Sequence, residues 1–122
     1  MNHAELVKRL VKPGLNIRQE LTPEQCDLWH MATGISGEAG ELLDAIKKHV
    51  IYGKPLDMDN VVEELGDLEF YMEGLRQRLE VGRDEVLDIN IDKLSLRYGA
   101  TAVGEDSLTY SDASAIQRAD KV

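Results

Sequence analysis

The sequence predicts an all-α fold, and three observations carry that prediction. Apolar residues recur in alternating steps of three and four along two long stretches, Leu28, Ala32, Ile35, Ala39, Leu42, Ile46, Val50 and Val61, Leu65, Leu68, Met72, Leu75, Leu79. That spacing marks one face of a helix rather than a strand. Thr22-Pro23-Glu24-Gln25 precedes the first stretch and reads as a helix start, with Thr22 as N-cap, Pro23 at the first helical position and Gln25 as capping-box partner. Breaks at Pro13-Gly14, Gly53-Lys54-Pro55 and Gly82 separate the helical stretches.

In chain order, residues 1–21 form an arm in which Glu5 to Val11 makes a short helix with Leu6, Val7, Leu10 and Val11 turned inward. The arm is expected to be mobile or to depend on a partner. The first long helix runs from Pro23 to about Tyr52 and ends at Gly53, with Lys47, Lys48 and His49 near its negative C-terminal dipole. Gly53 to Asn60 is a loop, and Asp57 or Asp59 can cap the second long helix, which ends near Gly82. Asp84 can cap a third helix from Glu85 to about Tyr98, with Val86, Leu87, Ile89, Ile91, Leu94 and Leu96 as its apolar residues. Small polar residues follow from Ala100 to Thr109, after which Ser111 or Asp112 can cap a short helix to about Asp120. The tail is expected to close over a neighbour or over the functional site. The expected organisation is a single domain, 1–122, with an arm at 1–21, a helical core at 22–99 and a tail at 100–122.

Composition narrows the function classes. The chain has 122 residues, a mass of 13.7 kDa, a net charge of −9 and a pI near 4.7. No basic stripe is visible to displace phosphate counterions, which argues against a nucleic-acid duplex as partner. The single cysteine, Cys26, excludes an intrachain disulfide, fits a reducing compartment and reads as a small buried hydrophobe. No apolar run approaches ~18 residues and no signal-peptide core is present, so the expectation is a soluble, cytoplasmic protein without a membrane partner.

Two acidic pairs hold the chemistry. Glu38 and Glu41 each precede a stripe residue of the first helix, and Glu64 and Asp67 do the same in the second. Each pair is thus rotated about 100° from its stripe in the same sense. If the helices pack antiparallel through their stripes, the four carboxylates converge. An oxygen-only cluster suits a hard divalent cation, Mg²⁺ or Mn²⁺. The competing reading is a solvated acidic face, since i,i+3 acids are common on helix surfaces. Gly34, Gly37 and Gly40 interrupt the first helix around these acids. Each costs about 1 kcal/mol relative to alanine, which close approach of a neighbouring helix or of a ligand would offset.

Several residues border this candidate site. His30, Gly34, Glu38 and Glu41 progress along one face of the first helix, which places the imidazole above the acids, although a helical histidine is more often structural. Trp29, the one tryptophan, suits a core or interface anchor or a base-stacking surface. Lys48 lies two turns after Glu41 and can meet a phosphate, against its simpler role at the helix dipole. Tyr71 falls on the site face, and Glu63 faces away from it. Asn90, Lys93 and Arg97 make one polar, cationic edge of the third helix. By spacing alone that edge reads as surface ion pairs.

GEAGELLDAIKKHVIYGKP, followed by VVEELGDLEFY and later NIDKLSLRYG, resembles the MazG-like, all-α nucleoside triphosphate pyrophosphohydrolase family. Its signature is E-x-x-E, a spacer and E-x-x-D, here Glu38-x-x-Glu41, Leu42 to Glu63, and Glu64-x-x-Asp67, with N-x-x-K-L-x-x-R-Y at Asn90 to Tyr98. Together the motifs cover most of the chain from Thr22 to Tyr98. The resemblance implies Mg²⁺-dependent hydrolysis of a nucleoside triphosphate, deoxynucleotides foremost, to the monophosphate and pyrophosphate. Glu38, Glu41, Glu64 and Asp67 would bind the metal, and one of these four acids, Glu41 foremost, would take the water's proton. Lys93 and Arg97 would hold pyrophosphate, Asn90, Tyr98 and Tyr71 would orient substrate, and the base would rest near Trp29 or His30. It also implies helical-bundle homodimers or homotetramers, in keeping with stripes too extensive for one hairpin to bury.

Two other classes stand beside this reading. A di-iron bundle needs E-x-x-H motifs, and His3, His30 and His49 lack a glutamate three residues before them. A non-enzymatic helical interaction module is the stronger competitor. Within the enzymes, the alternatives are a specialised dUTP, dCTP, phosphoribosyl-ATP or alarmone pyrophosphohydrolase.

Overall fold

A computed structural model describes residues 1–99 and 109–120. The described residues form six helices and no strand: α1 His3–Leu10, α2 Gly14–Glu20, α3 Pro23–Val50, α4 Met58–Leu79, α5 Arg83–Arg97 and α6 Tyr110–Asp120. None of these helices is long and apolar enough to cross a membrane. They divide between two compact units, Met1–Leu79 and Glu80–Val122.

Local signals set most helix starts. Asn2 and Glu5 form a capping box, the Asn2 side chain accepting from Glu5 N at 2.9 Å and the Glu5 carboxylate accepting from Asn2 N at 3.2 Å. Pro13, which has no N–H to leave unsatisfied, precedes α2. Where the sequence reading placed one helix in the arm, the chain therefore makes two, tied by an ion pair between Lys12 and Glu20. Neither buries a residue, and Leu6, Val7, Leu10 and Val11 are exposed instead of inward. Thr22 and Gln25 cap α3 reciprocally at 3.2 Å and 2.9 Å. Asp57 caps α4, its Oδ1 accepting from Asn60 N at 3.1 Å. Glu80 then takes a left-handed φ of 56° and ends the helix two residues before Gly82, near which the sequence places its end.

The first unit is organised by the α3–α4 hairpin. Its contacts run in opposite chain directions: Asp27 with Arg78 at 3.9 Å, Met31 with Gly74, Gly34 with Tyr71, and Glu38 with Glu64. The helices are therefore antiparallel. Met31 and Ala45 are buried, and Leu28, Ile35, Glu38 and Leu42 are half-buried. Opposite them Val61, Glu64, Leu68, Tyr71, Met72 and Leu75 are half-buried. Ala32, Ala39, Ile46 and Val50 of the sequence stripe stay exposed, as do Leu65 and Leu79.

The contact line on α3 is thus Met31, Ile35, Glu38, Leu42, Ala45, and the helix is rolled by roughly 60° from the stripe centre. Glycines on the rolled-in side explain the direction. Gly34 has no side chain to hold off the Tyr71 ring, and Gly74 admits the Met31 sulfur, so the helices approach closest on that edge. Half of the apolar stripe meets α4. The other half, with Leu43, Val62 and Leu65, forms an exposed apolar face on the opposite side of the hairpin.

In the second unit α5 begins after Gly82, which makes no side-chain cap bond, so Asp84 lies inside the first turn rather than at the cap. Helix α6 is capped by Thr109, whose Oγ1 accepts from Asp112 N at 3.3 Å, instead of by Ser111 or Asp112. The connection from Ala100 to Leu108 lies outside the described residues.

Candidate metal centre

Glu38 and Glu64 enter the centre because the roll of α3 brings both into the helix contact line, and Asp67 follows Glu64 by almost one turn. One carboxylate oxygen from each of the three lies within 4.8 Å of the others. Glu38 and Glu64 are half-buried and Asp67 is exposed, so the group opens to solvent at one side.

The electrostatics show a cluster short of positive charge. Glu64 Oε2 is sealed from water and has no hydrogen-bond partner of its own among the described residues, an unfavourable state for a buried acceptor. Its carboxyl group is held above the usual carboxylate range, chiefly by a hydrogen bond with Glu38, then by desolvation, then by the negative charges of Glu38 and Asp67. A divalent cation would relieve the repulsion among these carboxylates, and the donor set is oxygen only, the kind that hard cations take. The residues present therefore fit a metal ion.

Glu41 stands apart from this group. It is exposed on α3, almost one turn beyond Glu38 on the side of the hairpin that carries Gly34 and Tyr71. The ring of Tyr71 lies against Gly34 and packs edge-on with Phe70, centroids 5.2 Å apart, and with His30 at 6.2 Å. His30 and Tyr71 thus stand next to each other one to two turns from the carboxylates. Trp29 is 66% exposed, and the helix register puts it on the far side of α3 from α4, away from the acids of its own chain. Cys26 is exposed too, not buried as its residue type suggested. Glu63 faces solvent.

Lys48 pairs with Asp44 at 3.1 Å and lines a cavity at the hairpin turn with Lys54, Pro55, Asp57 and Asn60. Of these, the sequence points to Lys48 alone as a site residue, and Lys54 and Asn60 join it only through the turn. The one signal for them was a lysine and an asparagine flanking the turn. Asn90, Lys93, Arg97 and Tyr98 belong to the second unit. There Asn90, Lys93 and Arg97 are exposed along α5, and the Arg97 guanidinium sits 5.6 Å from the Tyr98 ring.

The MazG nucleotide pyrophosphohydrolase domain matches residues 28–100, which takes in most of α3 and all of α4 and α5. The chain belongs to that family. No curated protein and no solved structure matches it. Membership in the MazG family brings nucleotide pyrophosphohydrolase activity as a general expectation, and a general dependence on a divalent metal. In this MazG domain the Glu38, Glu64 and Asp67 group supplies the matching chemistry, three hard oxygen donors around one point.

Proposed function

We propose that the protein hydrolyses nucleoside triphosphates, deoxynucleotides foremost, to the monophosphate and pyrophosphate, with Mg²⁺ as cofactor and Mn²⁺ as its substitute. The observation that carries this reading is the convergence of Glu38, Glu64 and Asp67 with one sealed, unpartnered oxygen. A divalent ion held by these acids supplies Lewis-acid polarisation of the α-phosphoryl group and offsets its charge.

The remaining work falls to the chain's own side chains. Glu41, exposed at the rim, is the general base: a swing of its flexible side chain brings the carboxylate to the group, where it takes a proton from the attacking water. The water oxygen bonds to the α-phosphorus as the bond to the bridging oxygen breaks, and that electron pair leaves on pyrophosphate. Lys93 and the planar Arg97 neutralise the leaving charge. Asn90, Tyr98 and Tyr71 orient the nucleotide, with His30 beside Tyr71.

The assembly is a homodimer or a homotetramer. Ala39, Leu43, Ile46, Val50, Val62 and Leu65 leave an apolar face exposed on the hairpin, and two such faces cover each other in a four-helix bundle. Trp29 would then serve a neighbouring subunit's site or the interface. The same exposed face also favours a second reading, a helical interaction module whose acids are merely solvated. A panel of nucleoside triphosphates incubated with Mg²⁺ and assayed for monophosphate and pyrophosphate separates the two. Release of pyrophosphate from any member supports the enzyme, and none from the whole panel leaves the module.

A further inference from the structure

The cavity at the hairpin turn is unexplained by the carboxylate group, and its lining is unusual for this chain. Lys48, Lys54 and Asn60 line it together in a protein of net charge −9. Lys48 follows Glu41 by seven residues and Asn60 precedes Asp67 by seven. Both therefore lie two turns, about 10 Å, from an acid on the same side of the hairpin, and Asn60 is only one turn, about 6 Å, from Glu64. That separation suits a phosphate chain laid along the groove between α3 and α4.

The turn that presents the lysines is held in place. Gly53 adopts a φ of 66°, a left-handed conformation that favours glycine. Lys54 N donates to Lys48 O at 3.2 Å, and Lys54 O lies 2.8 Å from His49 Nδ1. Among the described residues no carboxylate forms an ion pair with Lys54. Lys48 pairs with Asp44 in a half-exposed contact, which contributes little and exchanges readily for a stronger acceptor. Asp57, the acid in the lining, is turned toward the N-terminus of α4, where it accepts from Asn60 N.

We propose that this cavity is an anion subsite that takes the terminal phosphate of an oligophosphate whose other end reaches the carboxylate group. Lys48 and Lys54 would neutralise it and the Asn60 amide would donate to it. The identity of the ligand as a nucleoside triphosphate rests on the pyrophosphohydrolase reading, but the anion chemistry of the cavity does not. The subsite makes the chain prefer triphosphates over diphosphates, because a diphosphate is too short to fill both ends.

The test is calorimetric titration of inorganic tripolyphosphate, in Mg²⁺ buffer, into the wild-type protein and into Lys48→Ala, Lys54→Ala and Lys47→Ala. Lys47 sits over the Tyr52 ring, outside the cavity lining, and controls for bulk charge. Lys54→Ala is expected to weaken tripolyphosphate at least tenfold, Lys48→Ala several-fold and Lys47→Ala less than twofold. In kinetics, Lys54→Ala should raise KM for a nucleoside triphosphate and leave that for the diphosphate unchanged, which separates the substrate's own phosphate from a free anion. No tripolyphosphate binding to the wild type, equal binding by wild type and Lys54→Ala, or an equal loss in Lys47→Ala overturns the subsite. Normal turnover with a Lys54-independent affinity overturns the subsite alone. Lys54-dependent binding without any turnover sustains it and overturns the enzymatic reading instead.

Discussion

Replacing Gly34 by alanine tests how the carboxylate centre is held together. A Cβ at Gly34 would overlap Cγ, Cδ1 and Cε1 of the Tyr71 ring. The ring is rigid and half-buried, with Phe70 against it on one side and His30 nearby, so no flexible tip can swing away. Relief requires α3 and α4 to separate, an overpacking strain of about 1–3 kcal/mol. Against it stands the helix-propensity gain of about 1 kcal/mol from removing a mid-helix glycine. The net expectation is a loss of about 1 kcal/mol. Gly37→Ala and Gly40→Ala meet no atom within 4 Å, and each should gain up to about 1 kcal/mol. Between Gly34→Ala and Gly37→Ala the difference is therefore about 2 kcal/mol. For a helical chain of this size that is a shift of roughly 1 M in the urea midpoint, followed by circular dichroism at one fixed protein concentration. Because Tyr71 lies one turn from Asp67 and packs on Gly34, itself one turn from Glu38, Gly34→Ala should also reduce stabilisation by Mg²⁺. Equal midpoints for the two variants would refute the close-approach argument.

Four further outcomes are expected. Asp67→Asn removes a charge without volume, so it should abolish the Mg²⁺-dependent rise in melting temperature along with turnover, and an intact metal response would exclude Asp67 as a ligand. Glu41→Gln should cut kcat by about 100-fold or more while leaving that thermal response in place, whereas wild-type turnover would remove Glu41 from the base role. Lys93→Ala should chiefly impair triphosphate hydrolysis, and unaltered kinetics would show that α5 does not reach the substrate. The fourth is a pH dependence. Glu64 titrates above its unfolded value of 4.5, so its protonated form stabilises the metal-free fold in acid, and this contribution is lost as pH rises through the raised value. Metal binding must displace that proton, so Mg²⁺ affinity should fall by up to about tenfold per pH unit below it. Melting curves of wild type and Glu64→Gln against pH, with and without Mg²⁺, check both signs. A difference between the two proteins that grows more favourable to wild type with rising pH, without metal, would contradict the assignment.

The sequence by itself determined the helices and the acids they carry. Thr22 with Gln25, Asp57 ahead of Met58 and the positive φ of Gly53 are contacts or conformations within a few residues, and such interactions follow from local residue identity. The helix starts differ from the sequence expectation in three places: Thr109 caps α6 in place of Ser111 or Asp112, α5 begins after Gly82 with no side-chain cap, and a further helix follows Pro13. The two acidic motifs were legible for the same reason, since their spacing fixes their register on each helix.

Which side of α3 meets α4 was decided only by the tertiary structure. The apolar stripe adds together every surface that needs covering, so its centre falls between the face that packs on α4 and the face left exposed with Leu43 and Ile46. The glycines broke that ambiguity. Gly34 and Gly74 let Tyr71 and Met31 press in on one edge, α3 rolled toward them, and Glu38 and Glu64 moved into the contact while Glu41 remained at the rim. Periodicity records how much apolar surface a helix carries, and steric fit between two particular helices selects the part they share.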